Sequence, residues 1–159
     1  MDKNKVAEIL KKCELFDELS DRDLQPIVDL GRIEKFKAGD IILEQGSLGT
    51  KIYILSKGQV SLERRAELTG SRSATVTVFV LKESPNRRLM GCWSSLVGEL
   101  HVQMCSAVCD KPTEVVAMPC SELRALIVQN SAIRIKILEK LVLLLRDRID
   151  SSYGAFETL

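Results

Sequence analysis

A chain of 159 residues in which 45% of side chains are apolar and 28% charged has the size and balance of one globular domain, which excludes a disordered segment. The formal charge of +1 gives no general attraction for nucleic acid or anionic lipid. No apolar run approaches the roughly 18 residues of a membrane span. Met1-Asp2-Lys3-Asn4-Lys5 leads straight into a charged amphipathic segment without a secretory core, so a cytoplasmic protein is expected.

Residues 3–12 carry Val6, Ile9 and Leu10 on one helical face. Ser20 is a candidate N-cap, with acidic residues in the first turn of a second helix that repeats Leu24, Ile27 and Val28 to about Leu30. The pattern then turns strand-like. Ile33 and Phe36 precede the turn Lys37-Ala38-Gly39-Asp40. Ile41-Ile42-Leu43 runs to Gln45-Gly46, Ile52-Tyr53-Ile54-Leu55 to Lys57-Gly58, and Val60 and Leu62 alternate with polar neighbours. Residues 66–73 read as a hairpin loop around Gly70, and residues 74–81 (ATVTVFVL) as the strongest strand. Glu83 to Arg88 is a polar loop in which Arg87 and Arg88 are expected to be a solvated pair. Residues 91–97 (GCWSSLV) predict a short helical turn, residues 103–109 and 114–118 further strands, and Ser121 an N-cap. Short strands broken by glycine turns predict an antiparallel β-barrel or jelly roll.

The last helix is expected over residues 132–149. Ile135, Leu138, Val142, Leu145 and Ile149 follow a 3,4 heptad spacing, and Ile133, Ile137, Leu141 and Leu144 form an adjacent stripe. One stripe suffices to dock a helix on its own domain. The second predicts a homodimer through this helix, although packing on the N-terminal helix would also use it. The whole reads as a single domain over residues 1–159: N-terminal helices at 1–31, a β-barrel at 32–119 with a short helix near 91–97, and C-terminal helices at 121–150. The fold class is therefore mainly β with flanking α-helices.

The five cysteines, Cys13, Cys92, Cys105, Cys109 and Cys120, form no C-x-x-C pair, and His101 is the only histidine. Buried reduced thiols acting as small apolar groups are expected, with no metal site and no cofactor. On one strand, Cys105 and Cys109 would share a face about 13 Å apart, too far for a common metal or a disulfide.

The stretch Phe36-Lys37-Ala38-Gly39-Asp40-Ile41-Ile42-Leu43-Glu44-Gln45-Gly46, continued by Tyr53-Ile54-Leu55-Ser56-Lys57-Gly58-Gln59-Val60, resembles the cyclic nucleotide-binding domain family. That family includes the bacterial catabolite activators and the regulatory subunits of protein kinase A. Leu15-Phe16-Asp17-Glu18-Leu19-Ser20 and residues 113–126 extend the likeness. Gly39, Gly46 and Gly58 stand where tight turns can require positive φ, so they speak for scaffold rather than ligand.

The resemblance implies a short helix carrying Gly-Glu and, about ten residues on, an arginine for the cyclic phosphate. One alignment uses Gly98-Glu99-Leu100 and reaches Cys109, with Lys111 as the nearest cation. The preferred alignment keeps strand lengths without an insertion. It places Cys92 to Val97 in the short helix, Trp93 in the glutamate slot, and Val102 or Gln103 in the arginine slot. Neither supplies the arginine, and Arg72-Ser73-Ala74 imitates the motif in the wrong place. The candidate pocket residues are Trp93, Ser94, Ser95, Val102, Gln103 and Lys111; no catalytic residue is expected.

These residues predict a non-catalytic regulatory or sensor domain with an altered phosphate site, taking a small anionic ligand or nucleotide but not cAMP in the ordinary way. The alternatives are an interaction scaffold without ligand and a thiol or metal sensor. Direct DNA binding is not expected, because a helix-turn-helix does not fit after Ile149.

Overall fold

The computed structural model describes residues 2–157; Met1, Thr158 and Leu159, which the single-domain reading includes, lie outside the described residues. Helix α1 (Lys3–Lys11) begins where the Asp2 carboxylate accepts the Lys5 backbone N–H, and it buries Val6, Ile9 and Leu10. In α2 (Asp21–Leu30) the Ser20 hydroxyl oxygen accepts the Asp23 N–H, while Asp21 and Asp23 face the positive end of the helix dipole.

Eight strands follow: β1 (Arg32–Phe36), β2 (Ile41–Leu43), β3 (Lys51–Lys57), β4 (Val60–Glu67), β5 (Ser73–Leu81), β6 (Leu89–Gly91), β7 (Ser106–Cys109) and β8 (Thr113–Pro119). They form two four-stranded antiparallel sheets, ordered β1-β8-β3-β6 and β2-β7-β4-β5. Of the expected antiparallel β-barrel or jelly roll, the structure is the jelly roll: two open sheets in which β1, β6, β2 and β5 remain edges. Alternation along the shared sheet explains the layers. Ile52 and Ile54 pair across from Met118 and Val116 and face the helices; Tyr53 and Leu55 pair with Ala117 and Val115 and face the second sheet.

Several boundaries differ from the sequence reading. Leu89–Gly91 is a strand, because its three buried residues pair with Ile52 to Ile54; the helical turn begins only at Trp93 and ends at Val97. The alternation seen from Gln103 yields a strand only from Ser106, so Cys105 is not on a strand with Cys109. Helix α3 (Cys120–Val128) takes Pro119 in the N-cap position, which places Ser121 inside the helix and not at its cap. Proline needs no N–H partner, and its fixed φ suits a helix entry. Arg88 is buried, not solvated: its Nη1 donates to the Leu55 carbonyl at 2.9 Å.

Helix α4 (Ser131–Phe156), capped by the Asn130 side chain, runs past the expected end at Ile149. Gly154 costs about 1 kcal/mol in a helix, but Tyr153 and Phe156 on either side reach the sandwich. Ile137, Leu141 and Leu144 are buried against the core. The heptad seam splits. Ile135, Val142 and Ile149 are more than half exposed, whereas Leu138 and Leu145 pack on the chain's own core. At 3.6 residues per turn, the latter lie about 60° round the helix, toward the buried stripe. Ser151 Oγ donates to the Val78 carbonyl at 2.7 Å and Lys140 pairs with Asp17 and Glu18, so both halves of α4 are tied down. Among the described residues, no helix is long and apolar enough to cross a membrane.

Candidate functional site

A cavity of about 490 Å³ opens at one end of the sandwich, within the roughly 300–1,000 Å³ of small-molecule pockets. Leu62 and Arg64 of β4, Val78 of β5 and Met90 of β6 form its sheet side. The 3-10 turn contributes Trp93. The segment before β7 contributes His101, Gln103, Met104 and Cys105. The last turns of α4 close it with Leu145, Arg148, Ile149, Ser152, Tyr153 and Phe156.

Local backbone chemistry sets this wall. Gly91 has φ +116°, and a Cβ there would stand 2.3 Å from the Lys51 carbonyl oxygen, so only glycine lets β6 lie this close to β3 before the chain turns. The turn at residues 46–49 holds the segment before β7. Gly49 N–H donates to the His101 carbonyl at 2.7 Å, Gln103 N–H to the Ser47 carbonyl at 2.8 Å, and Gly46 N–H to the Gln103 carbonyl at 2.8 Å. Gln103 is 5% exposed and its Nε2 has no hydrogen-bond partner among the described residues.

His101 is buried edge-on to Trp93, ring centroids 5.0 Å apart, with Nδ1 2.7 Å from the Ser94 hydroxyl. Burial lowers its pKa below the ordinary value, against a smaller upward pull from Gln103, so the ring is neutral at pH 7.

The cations are arginines that the alignments did not supply. Arg148 lays its guanidinium 3.9 Å from the Phe79 ring centroid and donates through Nη2 to the Leu89 carbonyl. Its Nε is buried without a hydrogen-bond partner among the described residues. Burial pulls its pKa down to about 10, which still leaves it charged at pH 7. Arg64 reaches the same wall from β4, its Nη1 donating to the Met104 carbonyl at 2.6 Å. Among the described residues, no carboxylate lines the cavity, and neither guanidinium has a salt bridge.

Of the six candidate residues, Trp93 and Gln103 line this cavity. The Ser94 hydroxyl is committed to His101, and Ser95 sits half-buried on the 3-10 turn outside the cavity wall. Val102 points outward, 53% exposed, on a bridge to Leu48; Lys111 is exposed on the turn between β7 and β8, away from the wall. In the other alignment, Glu99 is exposed and Cys109 is buried between the sheets. A sequence signal for the missed arginines existed. Arg64 is two residues past inward Leu62 on β4, and Arg148 interrupts the apolar stripe of α4 three residues after Leu145.

All five cysteines are free; four are buried and Cys105 is half-buried in the cavity wall. Burial raises the Cys105 pKa, opposed by the charges of Arg64 and Arg148, so both cations act at this thiol. Cys13 is pushed up to about 12 by burial. Cys120 Sγ donates to the Cys92 carbonyl at 2.9 Å, and the hydrogen-bonded thiol pair lowers Cys92 and raises Cys120. Among the described residues, no group of three His, Cys, Asp or Glu side chains could hold a metal ion.

No family model matches the chain. Over 62 residues it is 27% identical to a cGMP-dependent protein kinase of Plasmodium berghei (strain Anka), a match covering 39% of this chain and only 7% of that kinase. A cyclic nucleotide-binding domain from Methylobacillus flagellatus superposes with a TM-score of 0.74 at 19% identity, covering 96% of this chain and 80% of the other. The regulatory subunit of a cAMP-independent protein kinase A from Trypanosoma brucei gives a TM-score of 0.67 at 15% identity, covering 87% of this chain and 46% of the other. The fold is that of cyclic nucleotide-binding domains.

Proposed function

We propose that this chain is a non-catalytic regulatory domain that takes a small anionic ligand into the cavity beneath α4, and that it does not hold cAMP in the manner of the domains it resembles. The supporting observation is two arginines in a chiefly apolar wall that no carboxylate lines, Asp147 next to Arg148 standing outside it. A guanidinium facing only backbone carbonyls forgoes the charge-assisted bonds that an anion would supply. The slots that the preferred alignment assigns to ribose and phosphate hold Trp93 and Val102 or Gln103. The fold serves both a cyclic nucleotide-binding domain and the regulatory subunit of a cAMP-independent kinase, so it does not itself specify the ligand.

Arg148 lies on α4, so an acid group received there acts directly on the helix that closes the cavity. The exposed stripe Ile135, Val142 and Ile149 supports a homodimer through the same helix, which would carry the signal to a second subunit. Five unpaired thiols favour a reducing, cytoplasmic setting.

A thermal-shift titration with cAMP, cGMP and inorganic phosphate, at constant ionic strength, against wild type and Arg64→Gln, tests this reading. Stabilisation by an anion that weakens in the variant is expected, with cAMP no tighter than about millimolar. Micromolar cAMP binding indifferent to Arg64→Gln would overturn it.

A further inference from the structure

We propose that the occupant is a hydrophobic monocarboxylic acid, with its carboxylate between Arg148 and Arg64 and its apolar body along the sheet-side wall; this rests on the anion-binding reading above. The argument begins with Arg148. Phe79 covers one face of its guanidinium, and Nη2 gives one hydrogen to Leu89. In a guanidinium, Nε–H and one Nη2–H point the same way along one edge, and here Nε has no hydrogen-bond partner among the described residues. Two parallel N–H groups match the two oxygens of a carboxylate. Arg64 supplies a second cation to the same cavity, whose wall it shares with Arg148 and Cys105.

The rest of the wall selects the body. It is dominated by Leu62, Met90, Trp93, Met104 and Phe156. Methionine and aromatic surfaces adapt to alkyl or aryl shapes, and of these five side chains only the Trp93 indole N–H offers a strong hydrogen bond to a sugar hydroxyl. Beside the two arginines, the polar side chains of the wall are His101, Gln103, Cys105, Ser152 and Tyr153; Ser152 Oγ already donates to the Arg148 carbonyl at 2.8 Å and His101 is neutral, which leaves few groups for a base and a ribose. Burying unsatisfied polar groups of a nucleotide against this surface is unfavourable, whereas burying methylenes is favourable.

Calorimetry on the full chain with hexanoate, octanoate and decanoate, and with octan-1-ol, inorganic phosphate and cAMP, separates the possibilities. Affinity should rise about fourfold per methylene, equivalent to about 0.8 kcal/mol. Octanoate should bind at least tenfold tighter than octan-1-ol. Arg148→Met should erase that acid-over-alcohol preference. Arg64→Gln, at a half-exposed strand position, should weaken octanoate severalfold and carries the test if Arg148→Met fails to fold. Equal affinity for acid and alcohol, or no dependence on chain length, overturns the inference. Arginine-dependent binding of phosphate or cAMP without binding of the fatty acids overturns the carboxylate inference but keeps the anion reading. No arginine-dependent binding of any anion overturns both.

Discussion

The Arg148 guanidinium stands 3.9 Å from the centroid of the Phe79 ring, and the Arg87 guanidinium 5.0 Å from the same centroid. One aromatic ring thus supports cations from α4 and from the loop before β6. Phe79→Leu keeps an apolar side chain but removes the ring's negative face. It should cost about 1–2 kcal/mol in urea denaturation. In an Arg148→Met background the same change should cost measurably less, because the two residues are coupled. Equal costs in both backgrounds would mean that the stacking contributes nothing.

His101 makes stability depend on pH in a defined direction. Burial holds its native pKa below the ordinary value of about 6.5, so the unfolded chain takes up the proton first as pH falls. The resulting stabilisation is complete above about pH 6.5 and is lost as pH falls through the lowered native value. Melting temperature measured from pH 7.5 to 5 should therefore fall less steeply in His101→Gln than in wild type. Parallel curves would exclude His101 as the source.

Thiol reactivity should be selective. Cys13, Cys92, Cys109 and Cys120 are at most 2% exposed, and only Cys105 is half-buried, at the cavity wall. A disulfide reagent should modify one thiol per native chain, and Cys105→Ser should abolish that reaction. Slow reaction of all five, as the sequence alone suggests, would place Cys105 out of reach.

Two substitutions in the heptad seam should now part company. Val142 is 67% exposed, so Val142→Glu should leave the fold intact and convert a dimer to a monomer in light scattering. Leu145 packs on the chain's own core, so Leu145→Glu should destabilise the subunit itself by about 2 kcal/mol or more. A wild-type monomer at micromolar concentration removes the dimer from the proposal.

Gly91→Ala should be among the most damaging conservative changes. The added methyl group would meet the Lys51 carbonyl oxygen in a backbone conformation that L-residues avoid. A loss of at least about 2 kcal/mol is expected in denaturant titration, with the cavity wall at Met90 and Trp93 disturbed with it. A fully stable variant would show that β6 can move away from β3.

The parts of the fold legible in the sequence are those with local signals. Val6, Ile9 and Leu10, the Ser20 cap and the alternation at Val60 and Leu62 each carry their meaning within a few residues. β6 was not legible. Leu89, Met90 and Gly91 are too few to show a period, and their strand character comes from pairing with Ile52 to Ile54. The end of α4 was obscured by Gly154, whose local cost is outweighed by contacts that exist only in the folded chain. The site was legible in part. Trp93 and Gln103 follow from the family alignment. Arg64 and Arg148 lie 84 positions apart and line one cavity from β4 and α4, an arrangement that an alignment confined to residues 91–111 could not reveal.

Trp93 is the only tryptophan of the chain and belongs to the cavity wall, edge-on to His101. The molecule therefore has a built-in optical gauge with no background from elsewhere. Under excitation selective for indole, emission reports solely on this corner of the fold. A molecule that displaces water from the ring would shift the emission to shorter wavelength, and protonation of the neighbouring imidazole would dim it. Occupancy and histidine charge can then be followed separately, on an unlabelled protein, in a single cuvette.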